Sequence, residues 1–333
     1  MFKRKLTTNT MKHLFLLLSL AFITACGSSS PSNPDTVANE EKTVDTPKSE
    51  APKRLGWYEQ QSLYGDVESM TITKYRLKDQ FGEITSQGVI NSKKYTFDAV
   101  GNVVEELVYL SNGRLDEKIV YNYNSLGQLA EEVKYTSNGS LDYKLIEKYD
   151  SLGNVIESVK YNSKGSMLFK HISKYDSEEN LKELACYNSD GSLLWKYLYK
   201  YDSSGNRTEI ADHDTRGRRA LTYDESGNKI EEASYYSDGS LNRKYVYFYN
   251  TTGNLLKRDE YNSSNSLCGT HIHKYDSIGN MIEWAQYYSN GVLKDKFVYR
   301  YDALGNRIEE IEYKGAALIP TSQTEYQITY RNK

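Results

Sequence analysis

One six-residue frame recurs along most of this 333-residue chain. The copy from Tyr149 to Asn154 reads Tyr-Asp-Ser-Leu-Gly-Asn, and related copies begin at Phe97, Tyr123, Tyr175, Tyr201, Tyr223, Tyr249, Tyr275 and Tyr301. Successive copies start 26 residues apart, except that Tyr223 follows Tyr201 by 22. A fixed period of this length indicates a repeat fold in which atypical end units cap the array. Residues 57–96 and 314–333 hold such degenerate units.

Each unit contains two turn sequences. The first is the Asp-Ser-x-Gly-Asn part of the frame, and the second is of the type seen at Ser137 to Gly139. Asp or Asn early and Gly late favour a type I turn closed by a left-handed residue. The stretches between turns, such as Val155 to Tyr161, are rich in Tyr, Val and Ile and are typical of strands. The sequence therefore predicts an all-β antiparallel meander of 26-residue β-hairpin repeats.

The turns also predict a register. If both are three-residue loops ending in Gly, Leu141 faces Tyr135, and opposite charges face each other across the strands, as cross-strand pairing favours. The charged pairs are Glu106 with Lys118, Glu132 with Lys144 and Glu232 with Lys244. This register places the repeating tyrosines on one face and the Glu–Lys pairs on the other. The tyrosines are Tyr123, Tyr135, Tyr149, Tyr161, Tyr175 and Tyr187.

The same register offsets each unit by two residues from the one before. A staggered, twisted sheet of about twenty strands does not stay flat. We therefore expect a single sheet that curls, either into a spiral or into an open barrel-like shell with tyrosines inward.

The N-terminus has the features of a targeting segment. Basic residues precede a short apolar run from Leu14 to Phe22, which is too short to span a bilayer. It ends in Ile23-Thr24-Ala25-Cys26, which resembles the lipobox of bacterial lipoproteins. The resemblance implies cleavage before Cys26, lipidation of that cysteine, and a protein anchored in the cell envelope at the outer membrane. The alternative is a plain signal peptide with an incidental cysteine.

These features divide the chain into three segments. Residues 1–25 are expected to be a lipoprotein signal peptide, and residues 57–333 the β-hairpin repeat domain. Residues 26–56 hold the lipidated Cys26 and a Ser-, Pro- and Glu-rich stretch with no apolar period, which predicts a disordered tether.

The Tyr-Asp-x-x-Gly frame resembles the YD repeats of bacterial Rhs proteins, over roughly residues 75 to 313. Hairpin repeats of the MORN-like type are a second choice. The resemblance implies a curling β-sheet shell with a role at the cell surface. Rhs proteins are longer and carry a toxic C-terminal domain, which has no counterpart in the sequence up to Lys333, so the resemblance transfers no functional residue.

The sequence gives little sign of catalytic chemistry. It contains no phosphate-binding loop, nucleophile elbow or dinucleotide fingerprint. A net charge of −3 does not indicate binding to nucleic acid, which basic proteins favour. The glutamates that recur once per unit occupy equivalent positions, whereas a catalytic pair needs two unlike environments. His271 and His273 share one strand face but lack further ligands at metal-binding spacing. Cys186 and Cys268 are expected to be free thiols. We predict that the protein is not an enzyme and has no cofactor.

Two features are candidates for binding. Tyr135, Tyr161 and Tyr187 either pack the buried side of the sheet or form aromatic platforms for sugars or peptides. Arg216, Arg218 and Arg219 lie where the array loses four residues, in either a binding loop or a shortened turn that changes the curl.

The favoured hypothesis is a non-enzymatic, membrane-anchored repeat scaffold that binds an extended polymer such as a glycan, or an envelope protein. The alternative is a toxin-system or immunity component that uses the repeat shell to bind a protein partner. A hydrolase is a third reading, for which no pair of unlike carboxylates is evident.

Overall fold

The computed structural model describes residues 53–55, 62–80, 82–212 and 217–331, and its regular structure there is β-strand throughout. A small antiparallel pair comprises β1 (Lys53–Leu55), which lies within the predicted tether, and β2 (Ser62–Tyr64). The remaining 20 strands form one closed barrel in which chain neighbours are also sheet neighbours. No helix in the described ranges is long and apolar enough to cross a membrane.

The barrel begins with a long hairpin, β3 (Val67–Gln80) and β4 (Glu83–Phe97), and ends with β22 (Ile319–Tyr330). Between them lie β5 (Val103–Leu110), β6 (Leu115–Tyr123), β7 (Leu129–Thr136), β8 (Leu141–Tyr149), β9 (Val155–Asn162), β10 (Met167–Tyr175), β11 (Leu181–Asn188), β12 (Leu193–Tyr201), β13 (Arg207–Asp212), β14 (Arg218–Tyr223), β15 (Lys229–Tyr235), β16 (Leu241–Tyr249), β17 (Leu255–Tyr261), β18 (Leu267–Tyr275), β19 (Met281–Tyr288), β20 (Leu293–Tyr301) and β21 (Arg307–Lys314).

The predicted three-residue turns are confirmed. In the frame turn after β8, Asp150 N–H donates to the Asn154 carbonyl at 3.0 Å, and Gly153 N–H donates to the Asp150 carbonyl at 3.2 Å. Gly153 has a φ of 91°, the left-handed conformation that favours glycine. We call the end of the barrel with the frame turns the frame rim, and the end with the other turns the opposite rim.

The aspartate of the frame fixes this turn. Asp150 Oδ1 accepts hydrogen bonds from the backbone N–H groups of Leu152 and Asn154, both at 2.9 Å, and Asn154 Nδ2 donates to Asp150 Oδ2 at 3.2 Å. Partial burial opposes ionisation, but these hydrogen bonds favour the charged form and hold the pKa of Asp150 below its usual value. Asp and Asn in the frame are thus two halves of one turn clamp.

The predicted register is right beside the turns and wrong within the strands. Leu141 does face Tyr135, but a one-residue bulge follows, so that Lys134 faces Tyr143. A bulge sets two residues of one strand against one of its partner, and it therefore shifts every later pair. Lys144 accordingly bridges Glu131 at 2.6 Å instead of Glu132. The predicted Glu106–Lys118 and Glu232–Lys244 pairs are wrong for the same reason: Leu107 faces Lys118 and Ala233 faces Lys244.

The bulges also change the predicted faces. Tyr121 and Tyr123 alternate along β6 on the face that holds Glu132, whereas Tyr135 alternates with Val133 on the other face of β7. The frame tyrosines and the tyrosines of the Tyr135 type therefore lie on opposite faces of the sheet. The prediction of one tyrosine face and one charged face is wrong.

The sheet closes, whereas the sequence predicted an open curled or spiralling sheet. Left-handed turn residues such as Gly127, Gly139, Gly153 and Gly165 are alternately 12 and 14 positions apart, which offsets each unit by two residues as predicted. A consistent stagger tilts the strands, and tilted strands can close a sheet. The two degenerate end units meet at a seam, where β22 pairs with β3 from Tyr330↔Val67 to Ser322↔Arg76. Closure satisfies the edge strands that the repeat alone leaves open.

The seam holds the described hydrophobic core. Leu63, Val67, Met70, Tyr95, Phe97, Val103, Ile119, Tyr121 and Tyr326 form one buried cluster. Arg331, just after β22, ties the ends together, because its Nη1 donates to Asp66 Oδ1 at 2.9 Å and its Nη2 donates to the Phe97 carbonyl. The core therefore stabilises closure and does not run evenly around the barrel.

The frame tyrosine joins neighbouring units. Tyr175 Oη donates to the carbonyl of Val155 at 2.9 Å, 20 residues earlier. The last backbone pair between these strands is Ile172↔Glu157, so the Val155 carbonyl lies beyond the ladder, where the stagger leaves it. The same bond is made by Tyr123, Tyr149, Tyr201, Tyr249, Tyr275 and Tyr301.

Replacing Tyr175 with Phe should lower the free energy of unfolding by about 1 kcal/mol, because a partly buried carbonyl loses its hydrogen-bond donor. The matched control is Tyr161→Phe, at a half-buried tyrosine on the opposite face, which should change stability by less than about 0.5 kcal/mol. Urea denaturation followed by circular dichroism measures both. Equal losses in the two variants contradict the role of the frame hydroxyl.

Candidate functional site

The two faces of the barrel differ in exposure. On one, charged side chains are strongly covered, as with Glu106 at 1% exposed, whereas on the other Lys148 is 65% exposed. Side chains converge on the concave side of a closed sheet, so the first is the inner face and the second is the outer face. The frame tyrosines point inward, and Tyr135, Tyr161 and Tyr187 lie on the outer face.

The outer face carries a ladder of ion pairs. Glu183 bridges Lys174 of the strand before and Lys196 of the strand after, both at 2.9 Å. Hydrogen bonds from these two lysines hold the pKa of Glu183 below its usual value. Glu283 has the same arrangement with Lys274 and Lys296. The glutamates that recur in the sequence are thus cross-strand clamps on a wall that faces water.

The predicted tyrosine platforms are spread along this outer wall. Tyr135, Tyr161 and Tyr187 are half-buried and lie opposite lysines, namely Lys118, Lys144 and Lys170. Equivalent tyrosines are two strands apart, at least about 10 Å at the usual strand spacing. They form a row of separate Lys–Tyr pairs on a convex surface.

The arginines at the irregular unit do not form one cluster. Arg218 faces Tyr235 on the outer wall and lies 3.6 Å from Glu209, while Arg219 faces Ser234 on the inner face and lies 3.5 Å from Glu232. Arg216 lies outside the described residues. The pair Glu209↔Ala220 matches Glu183↔Leu198 of the preceding unit, so the loss of four residues shortens the hairpin without altering the register. The shortened hairpin is therefore observed, and its effect on the curl stays a prediction.

The inner face contains charged groups held by tyrosine hydroxyls. Glu106 accepts hydrogen bonds from Lys93 Nζ at 2.8 Å and from the hydroxyls of Tyr95 and Tyr121 at 3.1 Å. Glu132 accepts one from Tyr143 at 2.6 Å, and Lys160 Nζ lies 3.4 Å from the centre of the Tyr143 ring. These are satisfied networks, and they make the concave wall polar as well as aromatic.

A continuous run of rings lies between these networks. We call Phe169, His171, Trp195 and Tyr197 the luminal strip, because successive ring centroids are 5.0, 5.3 and 5.2 Å apart. His171 and Trp195 meet above Cys186, whose strand lies between theirs and whose small side chain leaves the space. A similar run of His271, Trp284 and Phe297 lines the wall on β18 to β20.

The barrel is too wide for its inner side chains to fill. At the usual strand spacing its 20 strands give a perimeter of roughly 100 Å, in the size range where barrels enclose water-filled space. Phe169, Trp195 and Tyr197 accordingly stay only half-buried, as do Tyr143 and Lys160. The luminal strip is therefore accessible from the lumen.

His171 and His273 on the inner face are neutral at pH 7. Burial lowers the pKa of His171 to about 4. Burial, followed by the charges of His271 and Arg258, lowers the pKa of His273 to about 4. His271 and His273 do share a face, as predicted, and no group of three or more metal-ligating side chains occurs among the described residues. Cys186 and Cys268 are not joined to each other: Cys186 is buried, and the Cys268 thiol donates to the Ser266 carbonyl at 3.7 Å.

The luminal strip was not predicted from the sequence. Its signal is the residue two places after the first strand residue that follows the opposite-rim turn. That first residue is Leu141, Met167 or Leu193, and the signal reads Tyr143, Phe169 and Trp195 in successive units. Aromatic identity at that position was visible, but its face was not, because the bulge lies between the first strand residue and the aromatic residue.

Comparisons with known proteins find similarity in solved structures alone, since no family model and no curated protein matches. A TcdB2-TccC3-TEV crystal structure is 12% identical over 80% of this chain, with a TM-score of 0.39, and this chain covers 16% of it. A porin-like protein from Bacteroides uniformis is 10% identical over 79% of this chain and 96% of its own, with a TM-score of 0.35. The Photorhabdus luminescens Tc holotoxin pore is 13% identical over 78% of this chain, with a TM-score of 0.33, and this chain covers 19% of it. Similarity this weak carries no functional conclusion, and membership of the YD-repeat family stays a prediction.

The low pKa of His171 predicts a pH-dependent stability. Its folded pKa of about 4 lies below the value of 6.5 in an unfolded chain, so the unfolded state binds more protons between these values and stability falls as the pH drops. At pH 4.5 the loss from His171 should be about 2 kcal/mol relative to pH 7.

Urea denaturation of the protein and of His171→Phe at both pH values tests this. The variant should recover about 2 kcal/mol relative to the unmodified protein at pH 4.5. Tyr197→Phe is the control, since it alters the same strip without removing a group that titrates in this range. A His171→Phe difference that is the same at both pH values contradicts the prediction.

Proposed function

We propose that this protein is a non-enzymatic binding scaffold, anchored to a membrane through a lipid on Cys26, that takes up an extended glycan-like polymer along its inner face. The observation that carries the proposal is the half-buried luminal strip on a concave, water-accessible wall. Aromatic rings pack against the apolar faces of sugar rings, while neighbouring polar groups bond their hydroxyls.

The strip has polar groups placed to complement the rings. Phe169 lies opposite Lys160, and Ser158 and Ser173 flank His171 on the inner face. Lys160 also approaches the ring of Tyr143 on the neighbouring strand, so that amine, hydroxyl and aromatic groups alternate along the wall. An extended polymer suits a site in which similar groups recur from hairpin to hairpin.

The site favours binding over catalysis. Of the inner carboxylates, Glu106, Glu132, Glu147 and Glu232 each accept a hydrogen bond from a tyrosine hydroxyl within the wall. The outer carboxylates are paired with lysines at equivalent positions of successive units. Equivalent, paired carboxylates supply structure, whereas hydrolysis needs two carboxylates in unlike environments beside one substrate.

The closed wall also supports the second candidate function, a shell that binds a protein partner of a toxin or immunity system. A closed barrel separates its lumen from the surroundings on all lateral sides, which is a way to shelter a polypeptide segment. The inner face contains charged groups that such a segment could pair with, including Arg219 and Glu232. The two functions differ in ligand chemistry and are separated by one set of experiments.

The first experiment is a glycan and peptidoglycan array probed with the mature protein. Binding to a polymer should then be titrated by tryptophan fluorescence, because Trp195 and Trp284 both line the lumen. Trp195→Ala should raise the dissociation constant about tenfold or more, the loss expected when one stacked ring is removed.

The matched control is Tyr187→Ala on the outer wall, two strands or fewer from the strip. It should leave the dissociation constant within about twofold, with circular dichroism confirming that both variants fold. The reverse result, loss in Tyr187→Ala alone, moves the site to the outer tyrosine row. If the array shows no binding to any glycan and cross-linking in the native envelope recovers a protein, the ligand is a protein partner and not a glycan.

A further inference from the structure

The frame rim carries an unexplained run of exposed apolar side chains. The residue before the left-handed glycine is apolar in five turns, namely Val100, Leu126, Leu152, Ile278 and Leu304, which we call the apolar arc. Their exposed fractions are 75, 81, 61, 47 and 47%. In barrel order these turns are consecutive, with the seam in their middle. On each side of the seam, neighbouring turns are two strands apart, about 10 Å at the usual strand spacing. The side chains therefore form a row along half of the rim, and such a row of exposed apolar groups is a candidate interaction site.

The turn itself does not require these residues. The same position in the other frame turns is occupied by Glu178, Ser204, Ser226 and Thr252. Ser204 and Ser226 stand in turns with the same hydrogen bonds, since Gly205 and Gly227 donate to Asp202 and Asp224 as Gly153 does to Asp150. The apolar residues are therefore a property of one half of the rim and not of the fold.

The opposite rim carries a polar residue at this position in seven of its described turns. The residue before the left-handed position there is Asn112, Asn138, Lys164, Asp190, Asp238, Ser264 or Asn290. The two rims thus differ at this turn position, although exposed apolar side chains such as Leu193, Tyr288 and Leu318 also lie near the opposite rim.

The chain enters the barrel at the arc. Tyr64, at the end of β2, donates from its N–H to Asn306 Oδ1 at 2.6 Å, and Asn306 Nδ2 donates back to the Tyr64 carbonyl at 3.0 Å. Asn306 belongs to the same turn as Leu304, and Leu304 also packs beside Gly65. The segment that precedes the barrel, with Cys26 at its predicted lipidated end, is therefore attached at the centre of the arc.

We propose that the apolar arc inserts into the headgroup region of the lipid bilayer, and so sets the barrel upright with its frame rim on the membrane. The inference rests on the proposed lipid anchor for its biological setting, but it is a separate contact. The outer wall carries ion pairs right up to the frame turns, such as Lys148–Glu157, with Lys148 two positions before Asp150, so apolar contact with lipid is confined to the turns themselves.

The chemistry of the rim points to apolar insertion and not to charge attraction. The acidic residues of these turns, such as Asp98 and Asp150, stay ionised, since partial burial is outweighed by the hydrogen bonds of their turn amides, which lower their pKa. They therefore offer no attraction to anionic lipid. A chain with a net charge of −3 has no general attraction to anionic lipid. Binding should therefore be similar on zwitterionic and anionic vesicles and should change little with salt.

Co-sedimentation with vesicles tests the contact without the anchor. The protein is the mature chain from residue 26 with Cys26→Ser, and the vesicles are phosphatidylcholine or a phosphatidylethanolamine–phosphatidylglycerol mixture. The double variant Leu126→Ser with Leu152→Ser should lower the partition coefficient at least about tenfold, since it removes the two protruding leucines of adjacent turns.

The matched control is Leu110→Asn with Val292→Ser on the opposite rim. Both residues are exposed, and both substitutions use the residue found at the equivalent positions Asn162 and Ser166. The control should bind vesicles as the parent does. As a second readout, the fluorescence of Leu126→Trp should be quenched by brominated phosphatidylcholine, while that of Leu110→Trp should not.

Three outcomes overturn the proposal: no vesicle binding by the parent, equal loss in both double variants, or equal quenching at the two rims. A change in sedimentation coefficient of Leu126→Ser with Leu152→Ser, without a change in vesicle binding, assigns the arc to a second copy of the chain instead. Mass spectrometry of the N-terminal peptide from native membranes tests the anchor separately. An unmodified Cys26 removes the anchor and leaves the rim result standing.

Discussion

The barrel depends on the spacing of its left-handed turn residues. That spacing alternates between a shorter and a longer distance along the chain, and the two distances differ by two residues. Spacings of 12 and 14 make each hairpin start two positions further along its neighbour, always in the same direction. That stagger tilts the strands, and the tilt lets a long meander return to its first strand. It also leaves the carbonyl of Val155 and its equivalents beyond the ladder, which is the group that the frame tyrosine bonds. The turn clamp, the hydrogen bond of the frame tyrosine and the closure of the sheet are all consequences of this one spacing.

The shortened unit shows how strictly the spacing is kept. Gly217 and Gly227 are 10 positions apart, four fewer than in other units, yet Glu209 still faces Ala220 in the common register. The loss is taken from the end of the hairpin at the opposite rim, and the frame rim is unaffected. Gly217 also shows the local constraint, since a Cβ there would lie 1.7 Å from the Tyr235 carbonyl oxygen. The barrel tolerates a deletion of this size because the register between the neighbouring strands is kept.

Local chemistry was predictable from the sequence, whereas the choice of face was not. The turn residues, the strands and the two-residue offset follow from short-range patterns such as Asp150 to Asn154, and all are present. The bulge beside each turn cannot be recognised from its residues, because the extra residues Asp142 and Ile156 are chemically unlike each other. A single bulge that is not predicted exchanges the two faces of a strand. That is why Tyr135 was grouped with Tyr123, and why the luminal strip was missed. Closure was not predictable either, since it depends on pairing between β3 and β22, about 250 residues apart in sequence.

The distribution of residue types gives the barrel three distinct surfaces. The outer wall repeats a Glu–Lys ladder that is nearly the same in each unit, as a structural element should be. The inner wall departs from the repeat, with Trp195 and Phe169 where other units place Tyr143 or Arg243. The frame rim departs from it again, in one half only. The fold does not require these departures from the repeat, because Ser204 occupies the arc position in one frame turn and Tyr143 occupies the position of Trp195 in another unit. Such departures indicate positions that serve a role other than folding. We therefore propose the lumen as the ligand site and the rim as the surface contact, an arrangement in which an upright barrel on a membrane would present its far opening to the ligand.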